Sequence, residues 1–401
     1  MGKYFTLAEF GTYGLVMGYI AVAIPLLGFR LDYVVSRTIV GMEPLPLAKE
    51  LRDQGVFYLI NYSVLIVVSL IGWAFFPNSF KSDVVFFTII LSILENFATV
   101  TSTNLISLRR PVLATFLFTL RSAAWVFPLM VVAYFCPELR NYEVVFYFWT
   151  GGVAASLVVT AYIWRDLPWK KALQSRINWE LLRSSLRICP AIWLGSVGAA
   201  LAFNVDRFVV EYFIGRDFVG IFTFYMSFTR ALWSLIESGV FVFALPQLIA
   251  LHKEGKTEEF WQIVKSTFWQ STLFVGFVSV LLGFGLPYLG KLMGKEVFAE
   301  HDRLLWLMLL ALFLKSPTQI LYLILYARHQ DRPIWVGNIL LLAVAALFNV
   351  VFVNLYGFIG VGYGGIVAVM FIAFWRGYYA VKYDPLAKPE KLSSLATKIS
   401  I

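Results

Sequence analysis

Apolar stretches separated by short polar loops run along almost the whole chain. A helix needs about 20 apolar residues to cross the hydrocarbon core of a bilayer, and eleven stretches reach about that length. Their approximate bounds are 11–30, 56–76, 84–106, 111–136, 142–164, 188–214, 218–250, 266–290, 304–327, 334–355 and 358–380. The pattern predicts an all-α, polytopic integral membrane protein with about eleven transmembrane helices and no separate soluble domain.

The composition supports this interpretation, because the chain is 60% hydrophobic and 14% charged, whereas soluble domains average about 25% charged residues. The net charge of +9 raises the question of nucleic-acid binding. The basic residues flank apolar spans, however, and form no single basic patch, so we expect membrane lipids and no nucleic acid as partners. The three histidines lie in separate loops, so no metal site and no cofactor are expected.

The Lys and Arg residues are distributed unevenly between alternate loops. One set of loops holds 21 of them and the other set holds 7. Basic loops remain on the cytoplasmic side of a membrane, so the first set is predicted to be cytoplasmic, together with the C-terminal tail, and Met1 is predicted to lie outside. Cys136 and Cys189 then lie on opposite sides of the membrane and are not expected to form a disulfide.

Two similar segments indicate repeated halves, which are common in secondary transporters. Residues 9–15 and 217–223 each contain an acidic residue, Phe, Gly and an aromatic residue in that order, and we interpret each glycine as part of a turn between helices. A full span precedes only the second copy, so we expect the first helix of a twelve-helix fold to be missing. The predicted organisation is an N-terminal helical lobe (1–164), a basic amphipathic cytoplasmic linker (165–187), a C-terminal helical lobe (188–384) and a cytoplasmic tail (385–401).

Three stretches, 7–37, 193–228 and 325–370, resemble the polysaccharide and O-antigen flippase family of the multidrug/oligosaccharidyl-lipid/polysaccharide (MOP) exporter superfamily. The residues that carry the resemblance are Asp206-Arg207 followed by Gly215 and Gly220, and the run of Asn349, Tyr356-Gly357 and Gly360. The resemblance extends over about residues 7–380. It implies two pseudo-symmetric helical bundles around a central cavity.

The resemblance also implies a function and a location. The expected function is to flip an undecaprenyl-pyrophosphate-linked oligosaccharide across a bacterial or archaeal inner membrane, for O-antigen, capsule or exopolysaccharide synthesis. Transport by alternating access, driven by a cation gradient, is implied, with a polysaccharide polymerase and a chain-length regulator as protein partners. The chain is expected not to be an enzyme.

Charged residues inside the predicted spans are the candidate functional residues. A charge near the bilayer centre costs at least about 2.5–3.5 kcal/mol, so such residues face a wet cavity or pair with another charge. The candidate substrate-binding cations are Arg121, Arg207, Arg230, Lys315 and Arg376, and the candidate coupling-ion carboxylates are Glu95, Asp206 and Glu237. An excess of cations in a cavity would stabilise a diphosphate headgroup.

Structural pairing is the alternative role for these charges. Arg207 and Glu211 are four residues apart and are expected to pair on one helix, and the spacing of Arg230, Ser234 and Glu237 predicts one shared helix face. Snorkelling to the cytoplasmic surface is an alternative role for Arg376.

Three other functions remain open. A multidrug or metabolite exporter of the related branch would favour an acidic, aromatic cavity, whereas these spans contain more bases than acids. A membrane polymerase or glycosyltransferase usually has a long catalytic loop, and the longest loops here are about 25 residues. A nonfunctional remnant is the third alternative, because of the missing helix.

Overall fold

The computed structural model describes residues 4–75 and 81–383, apart from the side chains of Trp73, Leu181, Ser185 and Ile188. Every regular element in these two ranges is helical. The α-helices are α1 (Leu7–Gly28), α2 (Leu31–Thr38), α3 (Pro44–Phe75), α4 (Ser82–Ser107), α5 (Pro111–Thr119), α6 (Val126–Phe135), α7 (Tyr142–Trp164), α8 (Trp169–Gln174), α9 (Trp179–Ala202), α10 (Val205–Phe213), α11 (Arg216–Ile236), α12 (Val242–Glu254), α13 (Thr257–Leu292), α14 (Val297–Glu300), α15 (Asp302–Ala327), α16 (Asp331–Tyr356) and α17 (Gly360–Lys382). The predicted tail, 385–401, and Met1 lie outside the described residues.

The predicted all-α membrane fold is confirmed. Among the described residues, nine helical stretches are long and apolar enough to cross a membrane, and the bent pair Cys189–Ala202 and Val205–Phe213 adds a tenth. The longest stretch, Asp331–Lys382, contains both α16 and α17, which the sequence predicts as two spans. With α16 and α17 counted separately, each of the eleven predicted spans corresponds to helix in the structure.

Helices α16 and α17 form an antiparallel hairpin around a short 3₁₀ turn, Gly357–Ile359. Gly357 has a φ of +64°, which glycine adopts without the steric penalty of a Cβ atom. Trp375 on α17 donates a hydrogen bond from Nε1 to the carbonyl of Pro333 on α16 at 2.8 Å. Gly364 lies against Asn349, and a Cβ atom there would approach the Asn349 Cα at 3.0 Å. The glycines therefore allow the two backbones to approach closely.

Replacing Gly364 by alanine is expected to destabilise the protein by about 1–3 kcal/mol, because the added methyl group overpacks the contact with Asn349. Gly365 is the matched control, since a Cβ atom there meets no atom within 4 Å. Gly365→Ala is expected to be neutral or to stabilise by up to about 1 kcal/mol through the lower entropy of the unfolded chain. Thermal unfolding in detergent micelles measures both variants, and equal effects would contradict the close approach of α16 and α17.

The chain divides between Ala200 and Leu201 into two compact units. In the first unit, α1, α4 and α7 pack around a core that includes Leu91, Phe146 and Val153. In the second unit, α12, α13 and α15 pack around Leu248 and Val275. Each unit therefore has its own hydrophobic core.

The sequence predicts a linker at 165–187 and a second lobe from residue 188, whereas the first unit continues to Ala200. The reason is that α9 bonds to the first unit. Trp193 Nε1 donates to the carbonyl of Leu26 at 3.2 Å, and Cys189 Sγ contacts the carbonyl of Arg30 at 3.5 Å. The division lies just before the break between α9 and α10, near Asn204.

The interpretation of the repeated glycines as turns is wrong. Gly11 lies inside α1 and Gly220 inside α11, and both are buried. Helix α1 instead begins with a capping box, in which the Glu9 amide donates to Thr6 Oγ1 at 3.2 Å and the Thr6 amide donates to Glu9 Oε2 at 2.9 Å. The turn before α11 is made by Gly215, at a φ of +123°. The two segments thus mark helix starts.

Candidate functional site

Arg121 lies on a π-helical segment, Leu120–Ala124, within one continuous apolar span from Pro111 to Phe135. Single π-helical turns inside α-helices are rare and occur frequently at functional sites. Arg121 is buried, as is Glu95 on the neighbouring helix α4. The π-helical segment therefore places a guanidinium group inside the first unit.

Arg121 and Glu95 form a buried ion pair with a distance of 2.6 Å between Nη1 and Oε2. Arg121 Nη1 also donates to Thr99 Oγ1 at 2.9 Å. The other carboxylate oxygen, Glu95 Oε1, accepts a hydrogen bond from Trp149 Nε1 at 2.7 Å. Both carboxylate oxygens are therefore satisfied, and the geometry fits the structural-pairing alternative for these two candidates.

The pairing of Arg121 with Glu95 was missed because 26 residues separate the two positions. A usable signal was nevertheless present in the sequence. Glu95 lies 12 residues before the end of α4 at Ser107, and Arg121 lies 10 residues after the start of α5 at Pro111. Consecutive spans are antiparallel, so the two charges lie at similar depth and are close enough to pair.

Two of the cavities among the described residues lie in the first unit. One, of about 450 Å³, lies beside the π-helical segment and is lined by Leu120, Ala124, Trp125, Pro128, Tyr147, Phe148, Gly151 and Gly152. The other, of about 350 Å³, lies between α3, α4 and α7, and its lining includes Arg52, Tyr58, Asn104, Trp164 and Trp169. Neither lining includes Arg121 or Glu95.

Three of the predicted cations, Arg230, Lys315 and Arg376, come together in the second unit, on α11, α15 and α17. Lys315 is close enough to Arg230 and Arg376 to interact electrostatically with both, and it also interacts with Glu237. We call these four residues the second-unit charge cluster. Its three cations outnumber its one carboxylate, and they belong to helices that are distant in the sequence.

Aromatic rings hold the Lys315 ammonium group. Its Nζ atom lies 4.0 Å from the ring centroid of Trp233 and 4.6 Å from that of Phe203. A cation over an aromatic face is stabilised by about 0.5–2 kcal/mol, and by more where it is desolvated. These two rings stabilise the Lys315 charge without neutralising it.

Hydrogen bonds to neutral groups orient both arginines of the cluster. Arg376 Nη1 donates to the carbonyl of Thr318 at 3.4 Å, and Arg376 Nη2 donates to Asn338 Oδ1 at 3.3 Å. Arg376 is buried, so the alternative of snorkelling to the surface does not describe its position. Arg230 Nη2 donates to Asn204 Oδ1 at 2.9 Å. These contacts orient the two guanidinium groups.

The carboxylate of the cluster, Glu237, opens a second π-helical segment, Glu237–Phe241, and it is exposed. Ser234, predicted to share its face with Arg230, is exposed as well. Asp206 on α10 adjoins the cluster, since it interacts electrostatically with Arg230 and also with Arg207. Glu237 is therefore the more accessible of these two carboxylates.

The predicted pairing of Arg207 with Glu211 is wrong. Glu211 Oε1 instead pairs with Arg216, at 2.6 Å from Nη2 and 2.9 Å from Nε. The reason is the turn at Gly215, which begins α11 and brings Arg216 back towards the end of α10. Arg207 is fully buried within the second unit.

No family model matches this chain, and no curated protein matches it either. Solved structures match over nearly its whole length. An inward-facing multidrug resistance MATE family transporter of the MOP superfamily aligns with a TM-score of 0.73 and 16% identity, over 94% of this chain and 91% of that one. An outward-facing structure of such a transporter aligns with a TM-score of 0.62 and 16% identity, over 93% and 86%.

A third solved structure, a MOP superfamily transporter from Pyrococcus furiosus, aligns with a TM-score of 0.60 and 16% identity, over 93% of this chain and 87% of that one. The reverse polarity of the binding pocket in that transporter suggests a different function for it. At 16% sequence identity, the similarity to these structures shows a shared fold and not a shared substrate. The fold is that of the MATE transporters of the MOP superfamily, a multi-pass membrane fold, while the polysaccharide flippase branch stays a prediction.

Proposed function

We propose that this protein is a secondary transporter that flips an undecaprenyl-pyrophosphate-linked oligosaccharide across the inner membrane by alternating access. Its fold is shared with transporters whose structures include inward-facing and outward-facing conformations, which supports a transporter over a membrane polymerase or glycosyltransferase. A flippase moves its substrate without breaking a covalent bond, so the proposal requires no catalytic residue.

The second-unit charge cluster is the observation that carries the choice of substrate. Cations inside membrane spans are costly, and the two carboxylates within electrostatic reach, Glu237 and Asp206, are fewer than the four cations Arg207, Arg230, Lys315 and Arg376. A lipid diphosphate carries about two negative charges and would neutralise the remaining excess. The neutral partners of Arg230 and Arg376 keep both guanidinium groups oriented, and Arg suits planar contacts with phosphate oxygens.

We assign the coupling cation to the same cluster. Glu95 is bonded to both Arg121 and Trp149, so a cation at that carboxylate would have to displace Arg121. Glu237 is exposed and lies within electrostatic reach of Lys315. Protonation of Glu237, or a sodium ion bound to it, would strengthen the positive field on the diphosphate. Asp206 has two arginines in electrostatic range and is the second candidate.

A multidrug exporter is the competing function, favoured by the descriptions of two of the structural neighbours. The charge of the substrate distinguishes the two proposals. Three basic side chains would repel organic cations, and the same side chains would attract a diphosphate. An inner-membrane location, and a polymerase and a chain-length regulator as partners, belong to the flippase proposal.

Reconstituted protein in liposomes, with a fluorescent polyprenyl-diphosphate oligosaccharide, tests the function directly. We expect translocation that depends on a proton or sodium gradient, is inhibited by unlabelled polyprenyl diphosphate, and is unaffected by organic cations. The control is the same lipid carrying a neutral linkage in place of the diphosphate, which should translocate at least ten-fold more slowly. Transport of ethidium without movement of the glycolipid would overturn the proposal in favour of a multidrug exporter.

A further inference from the structure

The segment between the first unit's last two long helices is clamped onto that unit. We call residues 165–187, from the end of α7 through α8 to the first turns of α9, the linker platform. Arg52 on α3 donates from Nη1 to the carbonyl of Ser175 at 2.7 Å and from Nη2 to the carbonyl of Arg176 at 3.1 Å. Arg52 Nη1 also donates to the carbonyl of Ala172. A buried arginine on a spanning helix thus holds three backbone carbonyls of the platform, within the five residues 172–176 at the end of α8.

Asp53, next to Arg52, completes the clamp. Its Oδ1 atom pairs with Arg52 Nη2 at 2.5 Å, and its Oδ2 atom accepts a hydrogen bond from the Asn178 amide at 3.1 Å. The inner side chains of the platform, Ala172 and Leu182, are buried. Because the inner face is bonded and packed, the opposite face has a fixed orientation.

The outer face of the platform is basic and carries two apolar side chains. Residues 165–187 contain six basic and two acidic residues. The exposed basic side chains beyond the Arg165–Asp166 pair are Lys170, Lys171, Arg176, Arg183 and Arg187. Leu173 is 67% exposed and Trp179 is 56% exposed. A rigid surface with this composition attracts anions and inserts apolar groups into an interface.

The ends of the platform place it at a membrane boundary. It follows α7, a span of 23 residues, and leads into α9, which belongs to the bent spanning pair. A segment between two apolar helices lies where those helices leave the hydrocarbon, at the depth of lipid headgroups. Clusters of four to eight Lys and Arg residues at that position are typical of surfaces that bind anionic lipids.

We propose that the outer face of the linker platform binds the phosphate headgroups of anionic phospholipids, with Leu173 and Trp179 inserted between them. The exposed basic side chains supply charge complementarity, and the clamp by Arg52 and Asp53 fixes the backbone at Ala172, Ser175, Arg176 and Asn178, between Lys171 and Arg183. This surface is separate from the second-unit charge cluster and does not depend on the proposed function. An acidic protein segment is the other occupant with the same charge, and the experiment distinguishes it.

Quenching of Trp179 fluorescence by brominated lipids measures this binding in the full chain, reconstituted in lipid nanodiscs. The Trp179 signal is the difference between the wild type and Trp179→Phe. We expect brominated phosphatidylglycerol, diluted into phosphatidylcholine, to quench Trp179 several-fold more strongly than brominated phosphatidylcholine at the same mole fraction. Each basic residue near an anionic membrane changes the affinity about five-fold, so Lys170→Gln with Lys171→Gln should abolish this several-fold preference for phosphatidylglycerol.

Arg109→Gln with Arg110→Gln is the matched control, because it also removes two adjacent exposed charges from a loop of the same unit. The control should keep the preference of Trp179 for phosphatidylglycerol. Equal quenching by the two lipids, or an unchanged preference in the Lys170–Lys171 variant, would overturn the proposal. So would protection of Trp179 by polyglutamate in the absence of any lipid preference, which would assign the surface to an acidic protein. None of these measurements involves transport.

Discussion

Replacing Lys315 by glutamine is expected to reduce translocation of a polyprenyl-diphosphate glycan by about 10- to 100-fold. A charged hydrogen-bonding group contributes about 1.5–3 kcal/mol to an interaction, and each 1.4 kcal/mol is a factor of ten. Lys315 has the central position in the second-unit charge cluster, since it interacts with Arg230, Arg376 and Glu237. Glutamine keeps most of its length and its packing against Trp233 while it removes the charge. The initial rate of translocation in liposomes measures the effect.

Two further variants show whether charge is the cause. Lys315→Arg keeps the charge and can stack on Trp233, so it should retain most of the activity. Lys291→Gln removes an exposed charge beyond the cluster and should leave the rate unchanged. If Lys315→Gln transports as fast as the Lys291 control while folding normally, the cluster has only a packing role. The diphosphate would then need another site.

The spans were predictable because a bilayer imposes a strict rule on the sequence. A helix that crosses the bilayer needs a long apolar stretch, and in this sequence polar loops separate one such stretch from the next. The division of Asp331–Lys382 into α16 and α17 was also predicted, as the two apolar spans 334–355 and 358–380, and in the structure the turn between them contains Gly357 with a positive φ. The insertion cost of charge likewise identified Lys315 and Arg376 as exceptional residues.

The partners of those charges were not predictable in the same way, since partners depend on which helices are neighbours. The expected pair of Arg207 with Glu211 relied on helical spacing alone. It failed because Arg216, after the turn at Gly215, reaches Glu211 at 2.6 Å. The π-helical segment that carries Arg121 has no sequence signature, because a single extra residue in a turn does not disturb an all-apolar pattern.

Breaking the buried pair of Glu95 and Arg121 is expected to have the largest effect on stability. Glu95→Gln leaves Arg121 without a counter-charge, and Arg121→Met leaves Glu95 in the same state. Removing one partner of a buried pair costs about 3–5 kcal/mol. The double variant Glu95→Leu with Arg121→Met replaces both charges by apolar groups, and it should recover most of the loss or exceed the wild-type stability. Thermal unfolding of the wild type, Glu95→Leu, Arg121→Met and the double variant in one detergent gives the coupling energy of the pair, and Glu95→Gln is measured beside them.

The exposed pair of Arg165 and Asp166, at 3.5 Å, is the matched control for this experiment. Exposed ion pairs contribute about 0–1 kcal/mol, so Asp166→Asn should scarcely change the unfolding temperature. If Glu95→Gln lowers the free energy of unfolding by no more than Asp166→Asn does, the ion pair is not buried as described.

The double variant also tests the role of Arg121 in transport. Because Glu95 pairs with the Arg121 charge within the first unit, we expect the double variant to translocate the glycolipid at nearly the wild-type rate. A loss of transport in a stable double variant would instead indicate that Arg121 binds the substrate.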